Sequence, residues 1–374
     1  MSRTRSASRL YYGICCLVLF FVAAAASFND SLNRWHFDSF APGSLHSAGS
    51  FAADLDGTDQ RPFVYRQLLP MLANWIDARF SEQAKDRLFN LKGRGGSLIR
   101  NRIIDSPLAR DRTYFLRWWI TYAVIFLFAW ISVYAMYLLG KSLGFPPAAS
   151  ALAAIAMILL MPYFEDQAAH LYDFPEMAFL MLAVWMALRF DWWWLVPLAV
   201  LATWNKESFL LFVPTLYPLV RLKNSRTIAL VGTAVIGLTS AAIYFLLRAR
   251  FQHNPGGTVE FHLMDQIRSL PTLYDPRRRT FLKVYGLWLP GTANVFVAAL
   301  IASTTWRVWH KLQRPIRRHI QIAAIINFPL FVLFCAPNEL RDLSFLYPAL
   351  VVLIAANLSQ WIGEQTKLAF PQSV

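Results

Sequence analysis

Long apolar runs follow one another along most of this chain, separated by short polar connections. Many approach the roughly 20 residues that a helix needs to cross a bilayer. The pattern predicts helical segments at Leu10–Ser27, Leu116–Leu139, Ala148–Phe164, Met177–Phe190, Trp192–Trp204, Phe209–Val220, Thr227–Leu247, Tyr285–Thr304, Ile320–Ala336 and Phe345–Trp361. The fifth and sixth are too short to cross alone. They read as two half-length helices meeting at Asn205-Lys206-Glu207-Ser208, a V with its apex at one face. The fold class is therefore all-α: a polytopic membrane bundle of about ten segments, two of them half-length, forming a single integral-membrane domain over residues 1–374. Arg3, Arg5 and Arg9 before the first run give it the look of a signal peptide, but the spans that follow make it an uncleaved first helix.

The apolar pattern breaks once at length, over residues 28–115. This loop carries Asp54, Asp56, Asp59, Arg61, Tyr65 and Arg66 within a few turns. Pro62, Pro70 and a central Arg66 make 63–76 an interfacial amphipathic helix rather than a crossing. The stretch Arg79–Arg112 predicts short amphipathic helices joined at Gly93-Arg-Gly-Gly96.

Composition agrees with a membrane class: 56% of residues are hydrophobic, with 14 Trp and 29 Phe. The net charge of +14 is mostly a membrane signature, although the long loop also carries many basic residues between Arg79 and Arg112, a stretch too long for loop charge to decide topology. Arg3, Arg5 and Arg9, then Arg221, Lys223 and Arg226, then Arg307 to Lys311 with Arg314, Arg317 and Arg318, all fall on one side of the ten-segment map, whereas Glu165–Pro175 has no Lys or Arg. The positive-inside rule makes that side cytoplasmic, with both termini on it, and the long loop non-cytoplasmic. The basic residues are too scattered for nucleic acid and suit membrane lipids instead. Cys15, Cys16 and Cys335 lie in predicted helices and imply no disulfide framework.

Four polar clusters map to the non-cytoplasmic side. In the first, Asp54 and Asp56 are candidate general bases, and are also the pair that would share a divalent cation if one is used. Asp56 is the favoured base because Gly57 frees the backbone beside it. The second holds His170 and Asp173 at a helix mouth. The third is Lys206-Glu207 between the half-helices, where charge is costly and marks a site or pathway, and where Lys206 would hold a phosphate. The fourth places Glu339 and Arg341 before the last span. Solvated loops and helix-entry turns account for each cluster taken alone; their order is what carries information.

An acidic first outer loop, His170-Leu-Tyr-Asp173 in the second, Leu201-Ala-Thr-Trp-Asn-Lys206-Glu-Ser-Phe-Leu-Leu-Phe-Val-Pro214, and Glu339-Leu-Arg341 ahead of Tyr347-Pro348 together resemble the GT-C superfamily of integral-membrane glycosyltransferases. The resemblance spans most of the chain as an order of weak motifs, without the large C-terminal soluble domain many members carry. It implies an enzyme of a bacterial inner membrane that takes a sugar from a polyprenyl-phosphate carrier and transfers it to a glycan, lipid or protein acceptor. Asp54 or Asp56 would be the base. Arg61, Tyr65, Arg66, His170, Asp173, Lys206, Glu207, Glu339 and Arg341 would bind substrate. Rival readings are a transporter or flippase of a lipid-linked saccharide, a polysaccharide polymerase or acyltransferase, and a non-catalytic assembly partner.

Overall fold

The computed structural model describes residues 2–32, 51–94, 108–165, 169–257, 259, 261–270, 281–291, 295–337 and 339–369. They are mostly helical. Among the described residues, six helices are long and apolar enough to cross a membrane: Gly13–Leu32, Phe115–Ser142, Pro147–Phe164, Arg226–Arg250, Arg314–Phe334 and Leu340–Gly363.

In chain order, α1 is Ser2–Leu32. The segment predicted as the long loop supplies α2 (Phe51–Asp56), α3 (Leu68–Asp77) and α4 (Glu82–Arg94). With 10 residues, α3 is about 15 Å long and cannot cross a bilayer. It is amphipathic and buries Leu69, Pro70 and Ala73. α4 runs straight through Gly93, so no joint forms there, and residues 95–107 lie outside the described residues.

The centre of the bundle is α5 (Phe115–Ser142), α6 (Pro147–Phe164) and α7 (Asp173–Arg189). α7 is apolar on all sides and buried on all sides, as a helix surrounded by other helices must be. It starts four residues before the apolar run does, because Asp173 and Glu176 sit in its first turn, where the helix dipole favours carboxylates. Gly140 of α5 lets the backbone of α6 approach at Ser150, the small-residue contact by which membrane helices pack closely.

The two predicted half-helices are α8 (Leu195–Asn205) and α9 (Phe209–Val220), broken at Lys206, whose backbone is extended (φ −154°, ψ 129°). α10 (Arg226–Arg250) follows, capped by the Ser225 hydroxyl accepting from Ile228 N–H at 3.3 Å. α11 is the short helix Leu263–Ser269.

The expected span Tyr285–Thr304 is corrected. Its first residues belong to a hairpin of β1 (Phe281–Val284) and β2 (Leu287–Pro290), and the helix α12 covers Val295–Trp309. The reason is local: Tyr285 and Gly286 both take positive φ, the two-residue turn that matches strand twist, and Pro290 ends the ladder. The hairpin is tied to the bundle by Tyr285 Oη donating to the Leu159 carbonyl at 3.0 Å and Tyr163 Oη to that of Pro290 at 2.9 Å. α13 (Arg314–Phe334), a 3-10 stretch at Leu340–Leu346 and α14 (Tyr347–Ala369) complete the chain.

Candidate functional site

Three breaks in regular structure meet at one end of the bundle: the entry to α7, the gap between α8 and α9, and the 3-10 turn before α14. Each exposes backbone polar groups, and each brings charged residues that would be costly to bury singly. They are buried together.

Lys206 places its Nζ 2.8 Å from Glu176 and 3.3 Å from Asp342. Glu176 also accepts from the hydroxyls of Ser208 (2.9 Å) and Ser344 (2.8 Å), so one carboxylate joins all three breaks. Arg341 pairs with Asp173 at 3.2 Å and Glu339 at 3.0 Å. The Asp173 carboxylate also accepts from the His170 N–H at 2.8 Å, closing the turn that starts α7. Asn205 donates to the Tyr172 carbonyl at 3.1 Å, fixing the end of α8 against the same turn.

The loop that precedes α5 roofs this cluster. Arg66 donates to Glu207 at 3.2 Å and to the Tyr172 hydroxyl, with its guanidinium 4.1 Å from the Tyr172 ring centre. His170 stacks between Tyr172 and Phe63, at centroid distances of 5.0 and 6.2 Å. Tyr172 therefore carries the contact between roof and helices, with Lys206 Nζ 5.2 Å from its ring.

Three cations (Arg66, Lys206, Arg341) thus face five carboxylates (Asp173, Glu176, Glu207, Glu339, Asp342). Lys206 and Arg341 each have two carboxylate partners and are buried. Arg66 differs. Its one ion-pair partner among the described residues, Glu207, has a side chain 27% exposed, and its own is 12% exposed; its Nε, like that of Arg341, is buried without a hydrogen-bond partner. Of the three cations, Arg66 has the fewest carboxylate partners.

Asp54 lies within the electrostatic influence of Arg66. α2 ends at Asp56, and Gly57, at φ +68°, turns the chain so that the amides of Thr58 and Asp59 both donate to the Ala53 carbonyl. Asn254 fastens this turn, donating to the carbonyls of Gly57 (2.9 Å) and Asp59 (2.8 Å). Asp54 and Asp59 are brought together in the interior. Burial, and then the charge and hydrogen bond of Asp59, push the Asp54 carboxyl well above its ordinary value, with Arg66 pulling in the opposite direction.

Asp56 points elsewhere. It accepts from the Tyr114 hydroxyl at 2.6 Å and pairs with Arg117 at 3.3 Å, both at the start of α5. Burial and Asp56 push the Tyr114 phenol up to about 12, so it remains a donor. The Gly57 freedom that favoured Asp56 positions Asp54 and Asp59 instead. With Asp56 turned toward α5, the two aspartates do not converge as a metal pair, and no group of three or more potential metal ligands occurs among the described residues.

Of the other sequence candidates, Arg66, His170, Asp173, Lys206, Glu207, Glu339 and Arg341 all join the network. Arg61 and Tyr65 do not. Arg61 donates to the Gly256 carbonyl at 2.6 Å, and Tyr65 packs with Val64 and Phe251. The residues that hold the network together but were not singled out as site residues are Tyr172, Glu176, Ser208, Asp342 and Ser344. Tyr172 and Ser208 stood inside the motifs; what could have marked Glu176 is a carboxylate in the first turn of an otherwise apolar helix. Comparison with family models, with curated proteins and with solved structures finds no match to this chain.

Proposed function

We propose that this protein is a membrane glycosyltransferase that moves a sugar from a polyprenyl-phosphate carrier to an acceptor hydroxyl, working at the non-cytoplasmic face of a bacterial inner membrane with both termini cytoplasmic. The observation that carries the reading is a buried carboxyl, Asp54, within the electrostatic influence of Arg66. Burial raises the proton affinity of this carboxyl, and the Arg66 guanidinium, whose ion-pair partner among the described residues is Glu207, acts on it electrostatically. In this reaction the acceptor hydroxyl gives its proton to Asp54. Its oxygen bonds to the anomeric carbon, and the carbon–oxygen bond to phosphate breaks. The electron pair leaves with the phosphate, whose charge Arg66 takes up. Lys206 and Arg341, already neutralised, hold the roof and helices in register rather than contact the phosphate. A lipid-borne donor fits a chain whose apolar helices have outward-facing residues such as Leu238 and Phe245.

A second reading is a carrier for a lipid-linked saccharide, favoured by the buried ion pairs at the break between α8 and α9, which are of the kind that line transport paths. Purified protein in proteoliposomes, given labelled polyprenyl-phosphate sugars and mixed glycan acceptors, separates the two. Transfer of label to acceptor is expected. Movement of intact donor between leaflets without transfer supports the carrier and removes the enzyme.

A further inference from the structure

A cavity lies at the other end of the bundle. α9 leaves the Lys206 break and runs 12 residues, about 18 Å, to Val220. α13 ends near the Glu339–Asp342 cluster and begins about 30 Å away, at Arg314. Between the last turn of α9, the start of α10 and the first turns of α13 is a cavity of about 1150 Å³.

Arg221, Arg226, Arg314 and Arg318 all line it, and no Asp or Glu does. Arg221 donates to the Asn224 carbonyl at 2.7 Å, which holds it at the rim without neutralising it. The rest of the wall is Tyr217, Pro218 and Leu222 on one side and α13, mostly apolar but for Gln321, on the other. Arg314, Arg318, Ile322 and Ile325 are spaced by four, four and three residues, so they share one helix face running from charge into hydrocarbon. Arg226 and Arg314 are the first residues of α10 and α13, where the helix dipole is already positive. All four are exposed and line one space without a carboxylate to neutralise them, Arg226 and Arg314 against their own helix dipoles.

Ile325 is 72% exposed on a helix long and apolar enough to cross a membrane, about 16 Å from Arg314 along the helix axis. The cavity therefore joins a cationic mouth to a lipid-facing wall. A soluble anion would use only the first. We propose that this cavity binds an anionic phospholipid, its phosphate seated among Arg221, Arg226, Arg314 and Arg318 and an acyl chain lying along Ile322 and Ile325. Such a lipid joins α9 to α13, the two helices that lead to the Lys206 cluster. The proposal stands whether or not that cluster transfers sugars.

The test is native mass spectrometry of the full chain, released from detergent with equal phosphatidylglycerol and phosphatidylcholine. Retention of phosphatidylglycerol over phosphatidylcholine by at least tenfold is expected. Arg314→Gln with Arg318→Gln should abolish that preference, and the paired Lys replacements should keep most of it. Lys141→Gln, an exposed charge at the same end but outside the cavity, should leave it intact. If the Gln pair does not fold, Arg221→Gln alone should weaken retention severalfold. Equal retention of both lipids, equal loss with Lys141→Gln, full retention by the Arg variants, or displacement by millimolar inorganic phosphate would each overturn the proposal.

Discussion

Removing the Glu176 carboxylate strikes the one group that touches all three breaks in the bundle. In Glu176→Ala, Lys206 keeps only Asp342, at 3.3 Å, and the hydroxyls of Ser208 and Ser344 lose their acceptor. Breaking a buried ion pair from one side costs about 3–5 kcal/mol, and a stranded buried hydroxyl about 1 kcal/mol or more. Relaxation and water entry recover part of this, so a net loss of about 4 kcal/mol is expected. Glu176→Gln should cost about 1–2 kcal/mol, because its amide oxygen still accepts from a serine and Asp342 still faces Lys206. Reversible unfolding in mixed micelles measures both. Lys206→Met in the Glu176→Ala background should cost at least about 1.5 kcal/mol less than it does alone, the mark of direct coupling. A loss under about 1 kcal/mol for Glu176→Ala, additive with Lys206→Met, would refute the claim that this carboxylate organises the site.

The raised proton affinity of Asp54 makes a pH prediction. A carboxyl that is harder to ionise folded than unfolded contributes stability below its unfolded pKa, about 3.9, and loses it as pH rises through the folded value. Thermal melts of the unaltered protein should therefore show stability falling above about pH 4, and Asp54→Asn, fixed in the neutral form, should flatten that fall; an unchanged slope counts against the placement. Asp56→Asn should cost about 1–2 kcal/mol through its contacts to Tyr114 and Arg117 yet leave turnover within a few fold, so a collapse of turnover in folded protein would return Asp56 to the site. In Gly140→Ala the new methyl would fall 2.8 Å from Ser150 Oγ and 3.3 Å from its Cα, pushing α5 off α6. A loss of about 1–3 kcal/mol in micelle unfolding is expected, and no loss means the helices are not packed this closely.

The apolar periodicity was enough to place most helices and the break at Lys206, because bilayer-length runs and isolated charges are strong local signals. It failed at Tyr285, where an apolar composition hid a turn that depends on two positive φ values. The clustering of Arg66, Asp173, Lys206 and Arg341 could be inferred from order along the chain. Which carboxylate serves which cation could not, because Glu176, Lys206 and Asp342 are far apart in sequence and meet only through packing. Asp54 and Asp56 show the same limit: two positions apart on one short helix, they face different partners, one inward to Asp59 and Arg66, the other to α5.

The reading of Asp54 as base and Arg66 as phosphate partner is tested most directly by single-turnover transfer from a labelled polyprenyl-phosphate sugar, with donor binding measured in parallel. Asp54→Asn should slow transfer about 10²–10⁴-fold with donor affinity retained, whereas Arg66→Gln should weaken donor binding itself. Folded, membrane-inserted Asp54→Asn protein that transfers sugar at the full rate would contradict the account.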